Sequence, residues 1–151
     1  MTELNQRRFP NIVLLELEKT AREVSTHAST SIEGNPLPLT EVKKILKTQP
    51  DQLRSSEQEV INYNQALVWL KERLNRGKVK LTDRLVLQIQ KMVTKKLLPD
   101  FECGHFREKP VIVNDPRTAK IVYLPPDVKH VSKLMESLVD FVNQNQGKID
   151  P

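Results

Sequence analysis

The sequence predicts a mainly α-helical fold with a single β-hairpin. Over most of the chain, apolar residues recur at intervals of three and four, the spacing of one face of an α-helix. Two short β-branched runs flank a turn-rich segment between Pro99 and Pro126. The length of 151 residues favours one domain. We therefore expect a helical bundle that carries one two-stranded arm.

The first helix is predicted from about residue 10 to Glu33. It ends at Gly34, because glycine can take the left-handed conformation beyond a helix and Pro36 cannot continue the backbone hydrogen bonds. The spacing of this helix places five apolar residues in one stripe: Leu14, Leu17, Ala21, Val24 and Ala28.

Four further helices are predicted from their start signals. Thr40 is the expected N-cap of a short second helix, and Ser56 with Glu59 is the expected capping box of a third helix that ends before Gly77. Thr82 begins a fourth helix that extends to Pro99, and Asp127 caps a final helix. The third helix has an apolar stripe, expected in the core: Val60, Tyr63, Leu67, Leu70 and Leu74.

The predicted hairpin pairs the runs 111–113 and 121–124 across a tip at 114–118. A lone two-stranded hairpin is marginally stable in water, so it must lean on the helices. Its unpaired edge is available to a strand from another chain.

Composition narrows the classes of function. The net charge is +5 and the pI about 9.4, but the basic residues are interspersed with acidic ones, which favours a solvated surface over a nucleic-acid site. Cys103 is the single cysteine, and the first ten residues lack a signal peptide, so we expect a cytoplasmic, reducing setting. The longest apolar run, 12–15, is too short to cross a bilayer, and we expect no membrane association.

Glu33 is an unusual residue for the end of a helix. The helix dipole makes this position negative and disfavours a carboxylate there by about 0.3 to 1 kcal/mol. Ser29 precedes Glu33 by four residues and shares its helix face. One interpretation is an anion that waits for a cationic partner; the alternative is a solvated glutamate at a frayed helix end.

Two blocks of sequence resemble one known family. Residues 29–35, Ser-Thr-Ser-Ile-Glu-Gly-Asn, resemble the inhibitory-helix motif (Ser/Thr)-x-x-x-Glu-(Gly/Asn) of Fic protein adenylyltransferases, and Leu-Thr-Glu-Val follows at 39–42. Residues 104–107, Gly-His-Phe-Arg, together with the hairpin and Tyr-Leu-Pro-Pro at 123–126, resemble the segment before the Fic catalytic motif. The order and spacing of the blocks agree with the family over about residues 29–146.

The resemblance implies an activity and a mode of regulation. Fic enzymes are nucleotidyltransferases that move AMP from ATP, with magnesium, onto a hydroxyl of a target protein. By this match Glu33 is the inhibitory residue that pairs with an arginine of the catalytic motif and blocks productive ATP binding. Ser29 supports it, and Gly34 and Asn35 complete the motif. The hairpin corresponds to the family's flap, which holds the target by strand-like pairing through Val111, Ile112, Val113, Ile121, Val122 and Tyr123.

The catalytic motif of the family is absent from these 151 residues. That motif is His-Pro-Phe-x-(Asp/Glu)-Gly-Asn-Gly-Arg, and neither His-Pro-Phe nor Gly-Asn-Gly occurs. We therefore expect no catalytic or metal-binding residue here, no ATP or magnesium bound by this chain alone, and no activity of the chain alone. The chain is interpreted as an incomplete Fic-type domain over 1–151. Its expected parts are an inhibitory segment (10–34), helices (35–100), a flap (104–126) and a helix before the catalytic loop (127–145).

Other interpretations remain. The chain can be a noncatalytic module that inhibits a separate Fic domain in trans, as antitoxins do, or a basic nucleic-acid binder. The chain can be a truncation, a proteolytic product or a natural short protein. The sequence also leaves open which protein is the target and whether the chain forms homo-oligomers. Cys103 and His105 are too few ligands for a zinc site. Arg107 either anchors its loop against the hairpin or contacts substrate.

Overall fold

The computed structural model describes residues 10–115 and 117–145. By the contacts between its residues, the chain divides into two compact units, and the boundary falls between Glu72 and Arg73, within the third helix. Its elements in chain order are α1 (Asn11–Ile32), α2 (Leu39–Thr48), α3 (Ser55–Asn75), α4 (Asp83–Thr94), β1 (Val113–Asn114), β2 (Ile121–Tyr123) and α5 (Val128–Gln144). The predicted fold class, mainly α with one β-hairpin, is confirmed. The assignment to a single domain stays a prediction.

α1 ends where the sequence predicts. Gly34 has a φ of +96°, a conformation that residues with a Cβ rarely adopt. The amide of Gly34 donates to the carbonyl of Ser31 and the amide of Asn35 to that of Thr30, both at 3.0 Å. These two bonds form a Schellman motif, which satisfies carbonyls that a helix end otherwise leaves free.

The core of the first unit lies among α2, α3 and the segment that follows α1. Partly buried Leu46 and Leu53 pack against a cluster of buried residues, Leu37, Val42, Ile45, Val60 and Ile61. α1 contributes no apolar side chain to this cluster.

The apolar stripe of α1 is on the surface. Leu14, Leu17 and Val24 are 48%, 55% and 44% exposed, and Ala21 and Ala28 are exposed as well. The buried residues of α1 are instead the polar Thr26 and Thr30.

A polar face joins α1 to α3. Arg22 Nε donates to Asn64 Oδ1 at 3.2 Å, and Glu18 forms an ion pair with Lys71. The contact between the two helices therefore depends on hydrogen bonds and charge as well as on shape.

Two predicted helix starts are wrong in detail. α2 begins at Leu39 with Pro38 in the N-cap position and no side-chain cap, so Thr40 lies inside the helix. α3 begins at Ser55, which places Ser56 inside it as well. The carboxylate that returns to the helix start is Glu57, which accepts from the Arg54 amide at 2.8 Å, rather than Glu59.

The Arg54–Glu57 contact predicts a dependence of stability on pH. Hydrogen bonds from the Arg54 side chain and amide lower the pKa of Glu57 below its ordinary value of 4.5. Because the folded pKa is the lower one, this contact stabilises the fold above about pH 4.5 and is lost as the pH falls through the folded pKa. We expect Glu57→Gln to show a smaller fall in Tm between pH 5 and pH 3 than the wild type, measured by circular dichroism. Glu72→Gln, at an exposed site, is the control; equal slopes for the wild type and Glu57→Gln would contradict the prediction.

The second unit contains α4, the hairpin and α5. The Thr82 hydroxyl accepts from the Leu85 amide at 3.1 Å, and the Asp127 carboxylate accepts from the Lys129 amide at 3.3 Å, so both predicted caps are confirmed. α4 ends at Thr94 rather than near Pro99. α4 packs against α5, and Leu85 on α4 and Val139 on α5 are both buried.

Candidate functional site

Glu33 stands at the ordered end of α1 with its side chain exposed. It is the residue immediately before Gly34 and keeps a near-helical backbone, with φ of −81° and ψ of 2°. Among the described residues, its carboxylate forms no ion pair with a Lys or Arg side chain. The Schellman bonds close the helix end, so it is not frayed. An exposed carboxylate without an ion pair among the described residues is also what the solvated-glutamate alternative expects, so both interpretations of Glu33 stay predictions.

Ser29 contacts α3 through its hydroxyl. The Tyr63 hydroxyl donates to Ser29 Oγ at 2.9 Å, between residues 34 positions apart in the chain. The predicted support of Glu33 by Ser29 stays a prediction. The sequence placed Tyr63 in the core because of its position in an apolar stripe, and it gave no sign that the ring would reach α1.

Asn35 is buried, with 8% of its surface exposed, and both polar atoms of its side chain are hydrogen-bonded. Its amide nitrogen donates to Ser56 O at 2.9 Å and to Glu59 Oε2 at 2.7 Å. Its side-chain oxygen accepts from the Leu37 amide at 3.1 Å. Asn35 therefore connects the turn after α1 to the first turns of α3.

The hairpin is short, antiparallel and exposed. Val113 pairs with Tyr123 and Asn114 with Ile121, with an irregularity between Val113 and Asn114. Ile121, Val122 and Tyr123 are 62%, 65% and 57% exposed. In the described part of the chain no third strand joins this sheet.

The first predicted flap run is only partly a strand. Val113 begins β1, whereas Val111 and Ile112 precede it as irregular, exposed backbone. The prediction extended the strand too far, because β-branched residues favour extended backbone without specifying a pairing partner.

Arg107 ties together the two ends of the hairpin segment. Its guanidinium donates to the carbonyl of Lys109, before β1, at 3.1 Å and to the carbonyl of Pro126, after β2. Of the two roles that the sequence left open for Arg107, these contacts are those of an anchor. They fix the base of the hairpin while its strands stay exposed.

A cavity of about 400 Å³ lies beside the base of the hairpin. Its wall includes the apolar side chains of Leu98, Phe101 and Phe106 and charged side chains of both signs, Arg107 and Lys109 with Glu102 and Glu108. Phe101 is 72% exposed. The mixture of apolar groups with charges of both signs suits a ligand side chain that is partly apolar and partly polar.

Cys103 is buried and engaged, whereas His105 is exposed. The thiol sulfur lies 3.3 Å from Thr94 Oγ1 and 3.8 Å from the Leu98 carbonyl oxygen, at the C-terminal end of α4. These contacts are those of a packed loop residue.

Within 10–115 and 117–145, no group of three or more His, Cys, Asp or Glu side chains could hold a metal ion. The sequence also lacks the glycine-rich phosphate turn of the Fic motif. In the same ranges, no helix is long and apolar enough to cross a membrane.

Comparison with known proteins supports the fold. No protein-family model matches the chain. A solved structure of a Fic domain-containing signalling protein from Bacteroides thetaiotaomicron is similar to this chain with a TM-score of 0.75 and 18% sequence identity. The match covers 94% of this chain and 53% of that protein, so the chain spans about half the length of the protein it resembles. The described helices and the hairpin therefore make up a mainly helical, Fic-like fold.

Proposed function

We propose that this chain is the regulatory and target-docking part of a Fic protein that transfers AMP from ATP to a hydroxyl side chain of a target protein. The observation that carries the proposal is the position of Glu33: an exposed carboxylate at the ordered end of α1, in a chain with a Fic-type fold. The catalytic motif, with the groups that hold ATP and magnesium, belongs in this proposal to polypeptide outside these 151 residues.

The charge of Glu33 supports an inhibitory role. A carboxylate at a helix C-terminus is disfavoured by the dipole, and the described residues supply no cation to offset the penalty. A guanidinium from the catalytic motif would offset it and would form a paired, hydrogen-bonded contact. While that arginine is held by Glu33, it is unavailable to the phosphates of ATP.

The hairpin suits target docking. An exposed strand edge offers unpaired backbone N–H and C=O groups to an extended segment of another protein. Arg107 keeps the base of the hairpin fixed, so a docked segment is held in a defined place. The neighbouring cavity is available to a side chain of that segment.

The test is AMP transfer by a polypeptide that joins these residues to a Fic catalytic motif. With ATP labelled on the α-phosphate and magnesium present, we expect label on target protein with the joined polypeptide. The 151-residue chain alone should transfer no label, because it lacks the catalytic histidine and the phosphate turn.

A hairpin variant separates docking from catalysis. Val122→Pro removes a backbone donor from β2, so labelling of the target should fall about tenfold or more, whereas Val122→Thr, which suits a strand, should retain it. No labelling by any joined polypeptide would contradict the proposal. Binding of the isolated chain to a Fic domain that lacks its own inhibitory helix would instead favour the antitoxin-like alternative.

A further inference from the structure

We infer that Tyr63 and Glu59 on α3 are positioning residues that hold the Glu33 end of α1 in its inhibitory place. This inference rests on the proposed function and extends it, because it assigns the strength of autoinhibition to residues of α3 that lie outside the inhibitory motif and hold its two ends. The two contacts lie on either side of Glu33 in the chain, one at Ser29 and one at Asn35.

The contact before Glu33 is the hydrogen bond from Tyr63 to Ser29, 2.9 Å long. Ser29 is in the last turn of α1, and Tyr63 is half-buried on α3. A phenol hydroxyl on a ring with few rotatable bonds holds a helix turn with little loss of side-chain entropy. The last turn of α1 is therefore restrained from the side as well as along its axis.

The contact after Glu33 is the network around Asn35. Glu59 accepts one amide proton of Asn35 at 2.7 Å, and the Ser56 carbonyl accepts the other at 2.9 Å. The acceptor Glu59 is a carboxylate, and hydrogen bonds to charged groups are stronger than those between neutral groups. Because Asn35 is buried, losing Glu59 would leave an amide proton without a partner.

The two contacts bracket a segment that would otherwise be the first part of the helix to open. Helix ends fray more readily than helix interiors, and Glu33 lies directly beyond the last residue of α1. For Glu33 to occupy a fixed position, both the preceding turn and the following turn must stay closed. α3 supplies one hydrogen-bonding partner for each, so releasing either one raises the fraction of molecules in which Glu33 is withdrawn.

Amide hydrogen exchange of the 151-residue chain tests the mechanical part of this inference. Tyr63→Phe keeps the ring and removes the hydroxyl, and we expect exchange at the amides of Gly34 and Asn35 to become about two to ten times faster. Exchange at Val42 and Ile45, in the core, should stay unchanged. Tyr123→Phe makes the same chemical change on the exposed hairpin and should leave Gly34 and Asn35 unaffected.

Variants at Glu59 provide a second arm. Glu59→Ala should accelerate exchange at Gly34 and Asn35, and Glu59→Gln, which retains an acceptor oxygen, should restore most of the protection. If Glu59→Ala unfolds the first unit, the test rests on Tyr63→Phe, in which Gly34 and Asn35 should exchange faster than they do in Glu59→Gln. Unchanged exchange at both amides in Tyr63→Phe, and in Glu59→Ala where it folds, would overturn the inference.

Kinetics of the joined polypeptide link these contacts to inhibition. We expect Tyr63→Phe to raise kcat/KM for ATP about two- to tenfold, in the direction of Glu33→Gly. Thr48→Ala, which removes a hydroxyl bond inside α2, should leave kcat/KM unchanged. Activation by Glu33→Gly without activation by Tyr63→Phe refutes the positioning role alone, whereas no activation by Glu33→Gly refutes the inhibitory assignment itself.

Discussion

We expect the replacement of Glu33 by glycine to raise AMP transfer by about 5- to 150-fold in a polypeptide that joins this chain to a Fic catalytic motif, the usual range of coupling between a regulatory group and a site. The substitution removes the carboxylate that would hold the motif arginine. Glu33 is exposed and directly precedes Gly34, so glycine disturbs no packed neighbour. Label transfer from ATP under initial-rate conditions measures the change.

Two further variants separate charge from shape. Glu33→Gln keeps the size of the side chain and removes its charge, and it should activate nearly as well as Glu33→Gly if the ion pair is responsible. Glu41→Gln makes the same change on α2, at an exposed carboxylate 3.9 Å from Arg54, and should leave the rate unchanged. Equal rates for the wild type and Glu33→Gln would show that the carboxylate does not restrain transfer.

The second large effect is on stability. Ile45→Ala removes a side chain that is 6% exposed in the core of the first unit, and it should lower the free energy of unfolding by about 2 to 5 kcal/mol. Leu17→Ala removes as many carbon atoms from the stripe of α1, where 55% of the residue is exposed. It should change the free energy of unfolding by at most about 0.5 kcal/mol. Urea denaturation of the isolated 151-residue chain measures both.

This pair of variants tests which side of α1 is buried. A cost for Leu17→Ala as large as that for Ile45→Ala would mean that the stripe is packed in the isolated chain. A small cost for both would mean that the cluster around Ile45 is not the main core of the unit.

The start of α3 illustrates how a correct local signal can be assigned to the wrong residues. Serine and glutamate three residues apart indicated a capping box at Ser56 and Glu59. In the structure Glu57 returns to the helix start and Glu59 reaches Asn35, 24 residues earlier. Acidic residues at neighbouring positions satisfy the same local pattern, so only the path of the preceding chain distinguishes them.

The sequence predicted that a hairpin forms, but not how many residues of each strand are paired. The two β-branched runs and the turn between them specify an antiparallel arm. The pairing itself is shorter than these runs, two residues in β1 and three in β2, and Arg107 ties the carbonyl of Lys109 to that of Pro126 at its base. The sequence left that role of Arg107 open because its partners are 2 and 19 residues away.

The sequence alone determined the helices, the arm and the position of Glu33 at a helix end. These features follow from local periodicity, caps and turn residues, whose effects act over a few residues. Tertiary structure decided which face of α1 is buried, because an apolar stripe does not specify its partner, and α3 meets the polar side through Arg22 and Asn64. It also decided the contacts of Tyr63 and Glu59 with the end of α1, because hydrogen bonds between residues far apart in the chain leave no local pattern.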